Sequence, residues 1–242
     1  MQRLLYFLGF WLGQGLAAST PKAVTFRQRL EEQAIASTTD FYSKNMRDAW
    51  LANGRESIWT DGLRRSDTLE GGLILEFGVW RGDSLRFLAE HNPDQVVYGF
   101  DSFEGLAEDW LGVLPAGFFA LDKPPNVAVN AQLVVGLVQE TLPRFLDENR
   151  GVVRYVHLDL DTFQSTLDVL RLLRGRFAAG TVLVFDEFFG FPQWEQGEAE
   201  AWRQFVSDTS VEFRYFATNG MVVGVQITKN PADDSMSPSA TE

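Results

Sequence analysis

LILEFGVWRGDSLRFLAEHNPDQVVYGFDSFEGL, residues 73–106, holds two short apolar runs with an amphipathic segment between them. LILEF (73–77) and VVYGF (96–100) have the length and residue types of buried strands, and DSLRFLAEH between them reads as a helix. Strand, helix, strand in that order is a βαβ unit, whose two strands lie parallel. The alternation continues outward from it. The runs LVVG (133–136), VVRYVHL (152–158) and TVLVF (181–185) are separated by the helix-like TLPRFLDEN and DTFQSTLDVLRLLRGRF, and EAEAWRQFV precedes a last pair, VEFRYFA (211–217) and GMVVGVQI (220–227). Asn219–Gly220 sits between that pair, a strong hairpin signal. The expected fold is therefore α/β: a mostly parallel sheet with helices on both faces and a C-terminal antiparallel hairpin.

Around this unit the chain divides into three. Residues 1–70 read as an N-terminal helical extension, 71–228 as the α/β domain, and 229–242 (KNPADDSMSPSATE) as a disordered tail with almost no apolar residues. The first stretch, MQRLLYFLGFWLGQGLAAST, fits either a helix docked on the body or on a second subunit, or a leader peptide. Its apolar run, Leu4–Leu12, is too short for a membrane span, which needs about 20 apolar residues. With 33 Asp plus Glu against 21 Lys plus Arg, the net charge of −12 argues against nucleic acid or an anionic membrane as partner. The absence of cysteine excludes disulfides, thiolate zinc sites and cysteine nucleophiles.

In open α/β sheets ligands sit beyond the carboxyl ends of the strands, so the residues there carry the functional reading. After the first strand, Gly78 and Gly82 bracket a turn into a helix. Their G-x-x-x-G spacing matches neither the dinucleotide fingerprint nor the phosphate loop, which points to a ligand without phosphate or simply to a tight turn. Asp101 ends the second strand, placed either to accept hydrogen bonds from both hydroxyls of a ribose or to cap the next segment. HLDLD (157–161) and FDEF (185–188) end two later strands. Alternation puts His157, Asp159 and Asp161 toward one side, and neighbouring strands would bring Asp159 near Asp186 and Glu187. Such a group of carboxylates suits Mg²⁺, and the scarcity of histidine argues against zinc. The other reading is helix caps and solvated acids, with Asp161 the cap of TFQST.

In combination LEFGVWRGDS, YGFDSFEGL, ETLP (140–143), HLDLD and the FDE pair resemble the macrocin O-methyltransferase family, metal-dependent sugar O-methyltransferases of antibiotic biosynthesis. The resemblance spans residues 71–227. It implies the class I methyltransferase (Rossmann-like) fold, S-adenosylmethionine as donor, Mg²⁺, and a small-molecule hydroxyl acceptor, usually a sugar. Carried over by motif, Glu76, Gly78, Gly82 and Ser84 line the methionine and ribose part of the donor, and Asp101 holds the ribose with Ser102 nearby. Asp159, Asp186 and Glu187 hold the metal; Asp161 is the general base, with His157 next in line. One departure stands out: the family has Asp-Asp where this chain has Asp186–Glu187. Trp110, Phe118, Phe119 and Trp194 are expected in the acceptor pocket or in packing beside it. A cytoplasmic location and homo-oligomerisation through the N-terminal helices complete the expectation. The competing readings are a metal-independent N- or C-methyltransferase and a non-catalytic nucleoside-binding protein; an NAD-dependent oxidoreductase is disfavoured by the glycine spacing.

Overall fold

The computed structural model describes residues 21–110 and 114–230, with side chains from residue 25 onward. The expected helix or leader over residues 1–20 and the tail beyond residue 230 lie outside the described residues. Six α-helices are described: α1 (Pro21–Asn45), α2 (Arg55–Ser66), α3 (Asp83–Glu90), α4 (Val138–Glu148), α5 (Phe163–Leu173) and α6 (Glu198–Thr209). The strands are β1 (Trp50–Leu51), β2 (Leu73–Phe77), β3 (Val97–Asp101), β4 (Ala131–Val135), β5 (Val153–Leu158), β6 (Val182–Phe185), β7 (Glu212–Thr218) and β8 (Val223–Lys229). They form one sheet in the order β1-β7-β8-β6-β5-β2-β3-β4.

Each apolar run of the sequence became a strand within three residues of its expected bounds. The reversed strand is β8, antiparallel to both β6 and β7. The turn before it is closed by Asn219, whose Oδ1 accepts the N–H groups of Met221 and Val222, while Gly220 takes φ +94°. β1 was not expected. It adds a two-residue parallel edge beside β7, so the N-terminal segment contributes to the sheet itself.

The central strands β5 and β6 are buried along their whole length, as strands covered on both faces must be. Alternation sorts their residues into two layers. Tyr155, Val182 and Val184 pack with Ile58, Trp59 and Leu63 of α2 and with Leu85 and Leu88 of α3. Val156, Leu158, Leu183 and Phe185 pack with α4, α5 and α6 on the opposite face. α2 lies close enough that a Cβ at Gly62 would come within 3.0 Å of the Tyr155 ring. α1 is latched to the loop after β6: Trp194 Nε1 donates to Ser37 Oγ (2.8 Å), the Gly190 amide donates to Thr38 Oγ1 (3.0 Å), and Phe41 meets Trp194 edge-on at 5.5 Å. Among the described residues no helix is long and apolar enough to cross a membrane.

Candidate active site

The glycine turn and Asp101 form one hydrogen-bonded unit. Asp101 Oδ2 accepts the amides of Val79 (2.8 Å) and Trp80 (2.7 Å), and its Oδ1 accepts the amide of Phe103 (2.8 Å). A carboxylate offers roughly four lone-pair positions, so room remains for about one more donor, not for two as the sequence suggested. Trp80 and Phe103 both sit at positive φ, 47° and 58°, a conformation that non-glycine residues adopt when their surroundings impose it. Gly78 owes its identity to the chain rather than to a ligand. At φ +87° its missing Cβ would stand 1.8 Å from the carbonyl oxygen of Asp159. Gly82, at φ +79°, is the N-cap of α3. Ser84 donates to Glu76 Oε1, and Ser102 Oγ accepts the Glu104 amide (3.1 Å).

Two recesses open at these strand ends. The larger, about 470 Å³, runs from Asp101 and Ser102 past Gly136–Val138 to Asp159 and Asp161, with Phe119 on its wall. The smaller, about 280 Å³, is lined by Arg55, Trp59, Ser84 and Asp159. Trp80 and Asp159 belong to both, so the recesses share a wall. A still larger cavity, about 1010 Å³, lies between α1, α6 and β7 around Phe41, Trp202 and Tyr215. It holds neither the glycine turn nor the strand-end acids, and its size alone gives it no chemistry.

The acids divide between the two layers. One carboxylate oxygen each from Asp159, Asp161 and Glu187 lie within 4.8 Å of one another. Glu198, the first residue of α6, is fully buried beside them and its Oε2 accepts the Glu187 amide (3.1 Å). Glu187 Oε2 and Glu198 Oε1 are buried without a hydrogen-bond partner. Burial pushes the Glu187 carboxyl well up, and the charges of Asp186, Asp159, Asp161 and Glu198 push the same way. Burial likewise raises Glu198 together with Asp159, Asp161 and Asp186, against the pull of the Glu187 amide. Hard oxygen donors at this spacing, with unpartnered buried oxygens next to them, fit Mg²⁺.

Asp186, which the sequence reading placed on the ion, is not one of the three mutually close residues Asp159, Asp161 and Glu187. Consecutive residues at a strand end face opposite sides, so Asp186 points into the α2 layer while Glu187 points toward α6. There Asp186 Oδ2 pairs with Arg55 Nη1 at 3.1 Å. His157 lies between Asp186 Oδ1 and Glu76 Oε1, 3.6 Å from each, at ion-pair rather than hydrogen-bond distance. Burial pulls the His157 pKa down, but the two carboxylates outweigh it and hold it up at about 10. His157 thus stands between two carboxylates on the α2 side of the sheet; β5 ends at Leu158, and beyond it Asp161 turns at φ +63°. The N-cap of α5 is Thr162, leaving Asp161 out of that role.

Of the four aromatic residues, Phe119 lines the larger recess and meets Trp80 edge-on at 5.4 Å. Phe118 packs edge-on against it at 4.8 Å. Trp110 is buried and donates its indole N–H to the Asp161 carbonyl (2.8 Å), while Trp194 serves the latch to α1. Sequence reasoning missed Gly136–Val138, Arg55 and Glu198. The strand-end rule applied to LVVG would have reached the first; nothing in the sequence marks the other two.

Residues 75–188 match the family described as "Methyltransferase domain". No curated protein matches the chain. Among solved structures, the chain is similar to the calicheamicin methyltransferase CalS11, at 24% identity and TM-score 0.55, covering 88% of this chain and 95% of that one. An apo structure of CalS11, described as a TDP-rhamnose 3'-O-methyltransferase, follows at 25% identity and TM-score 0.49, covering 88% and 97%. The O-methyltransferase NovP follows at 16% identity and TM-score 0.49, covering 85% and 99%. The first of these likenesses shows the class I methyltransferase fold. The match to a methyltransferase-domain family runs from the middle of β2 to the acids beyond β6.

Proposed function

We propose that the protein is an S-adenosylmethionine-dependent O-methyltransferase acting on a hydroxyl of a small molecule, a sugar or glycosylated natural product, with Mg²⁺ in its site. The observation that carries this reading is the convergence of Asp159, Asp161 and Glu187, of which Asp159 lies on the wall the two recesses share and Asp161 lines the larger one. The motif resemblance to the macrocin O-methyltransferase family supports the choice of a hydroxyl acceptor. Residence in the cytoplasm and assembly through the N-terminal helices belong to the same proposal.

Methyl transfer to oxygen forms an O–C bond as the donor's S–C bond breaks, and the hydroxyl proton must go to a base. The chain supplies the parts as follows. Asp101 offers its remaining lone pair to a ribose hydroxyl, and Gly136–Val138 form the opposite wall for the base. Glu76, with Ser84 on one oxygen and a buried unpartnered Oε2, suits the ammonium group of the donor's amino-acid end. Asp159, Asp161 and Glu187 would hold Mg²⁺, which supplies a positive charge that lowers the pKa of a nearby hydroxyl. Asp161, on the recess wall, takes the proton. Donor and acceptor held side by side in the adjoining recesses would have their reacting atoms in line.

The test is methylation of a panel of sugar and nucleotide-sugar hydroxyls with labelled donor, with and without EDTA. Turnover should stop in EDTA and return with Mg²⁺. Full turnover in EDTA would remove the metal from the reading, and failure to bind S-adenosylmethionine by calorimetry would remove the reading altogether.

A further inference from the structure

Glu198 is a buried acid that the sequence gives no reason to expect in the site. It opens α6, reached from β6 by the 186–197 loop, and it is fully buried. Its Oε2 is committed to the Glu187 amide at 3.1 Å, which fixes the carboxyl plane next to a member of the acidic group. Its Oε1 is buried with no hydrogen-bond partner. The backbone just before it abuts the same group: a Cβ at Gly197 would stand 3.8 Å from the Asp161 carbonyl oxygen. The charges that act on Glu198 are those of Asp159, Asp161 and Asp186, with no cation among them. A carboxyl oxygen desolvated this far is costly unless something positive or a proton meets it.

Asp186 supplies the other half of the argument. Its carboxylate is taken by Arg55 at 3.1 Å and faces His157 at 3.6 Å, both on the α2 side of the sheet. Asp186 is thus engaged on the α2 side, while Glu198 meets the acidic group through the Glu187 amide on the α6 side. We propose that Glu198 is a carboxylate of the divalent-cation site, completing Asp159, Asp161 and Glu187 in place of Asp186. This rests on the reading that the acidic group holds a divalent cation. It goes further in moving one ligand position from the end of β6 to the first turn of α6. A glutamate at residue 187 fits this arrangement: its longer arm lets it share an ion with a helix that an aspartate there would reach less well.

The experiment is Mn²⁺ binding to the purified full chain, read by the electron paramagnetic resonance signal of free Mn²⁺ and by calorimetry. Wild type should bind. Glu198→Gln keeps the acceptor for the Glu187 amide and should remain folded, yet its Mn²⁺ affinity should fall at least about tenfold. Glu198→Asp, charged but shorter, should lie between the two. Asp186→Asn should change affinity by less than about threefold. Equal affinity of wild type and Glu198→Gln, or a loss confined to Asp186→Asn, would overturn the assignment of Glu198 while leaving the cation site standing. No Mn²⁺ binding by wild type would overturn both together. Circular dichroism and melting curves of each variant separate a lost ligand from a lost fold.

Discussion

The two ends of the site differ in how much of their polar chemistry the chain itself satisfies. At the β3 end, Asp101 has three backbone N–H groups on its carboxylate, and the glycine turn is thereby set without any ligand. At the β5–β6 end, Glu187 and Glu198 each keep a buried oxygen without a partner, and like charges surround both. Rigidity comes from satisfied groups, and binding demand comes from unsatisfied ones. The Asp101 end is preformed; the acidic end keeps buried carboxyl oxygens unmatched.

Three measurements would break or sharpen this contrast. The largest effect belongs to the acidic end. Asp161→Asn should lower turnover by about 10²–10⁴-fold if Asp161 is the base, with donor affinity by calorimetry nearly unchanged. A variant that keeps full turnover would send the search for the base elsewhere. Next comes the donor end. Asp101→Ala removes a charged acceptor for one ribose hydroxyl and should weaken S-adenosylmethionine binding by about 1.5–3 kcal/mol. Because three amides lose their partner, it should also lower the melting temperature, and a variant with unchanged affinity and unchanged melting would show that the preformed turn does not depend on this residue.

The smallest effect is a pH-dependent one. The folded-state pKa values of Glu187 and Glu198 are raised above the ordinary 4.5. Below that value both are protonated in the folded and unfolded chain alike. Above it the unfolded chain ionises first, so stability falls as pH rises toward the folded values. A bound cation offsets that loss. Mg²⁺ should therefore raise the melting temperature more near pH 8 than near pH 5, by about 2–4 °C for each ~1 kcal/mol of difference. His157 also loses stabilising charge as pH rises, from its ordinary 6.5 through about 10. That loss sits on the α2 side, away from the proposed cation, and should cancel between samples with and without Mg²⁺. Equal shifts at both pH values would erase the contrast between the two ends.

The fold was legible because periodicity is local: LILEF, VVRYVHL and TVLVF each announce a strand without help from the rest of the chain. β1 was invisible because two exposed residues, Trp50 and Leu51, have no period to read. In the candidate site, placement was legible wherever position on a strand end determines it, as for Asp101 and Asp159 on the larger recess. It was misread where a role depends on which way a side chain leaves that end. Asp186 and Glu187 are neighbours in sequence and were expected on one ion, yet the pleat sends them to different layers. Arg55 and Glu198 escaped because each comes from a helix whose docking onto the sheet no short motif encodes.

The contact between Gly78 and the Asp159 carbonyl ties the two ends of the site together. Since even a methyl group at Gly78 would fall 1.8 Å from that oxygen, the glycine turn after β2 and the acidic segment after β5 pass each other with no spare room. Neither can drift without moving the other. An attempt to evolve this protein toward a bulkier acceptor would therefore find little freedom at that crossing. Accepted mutations should gather instead along the outer rims of the recesses, around Phe119 and Arg81, where side chains can change size without touching the crossing.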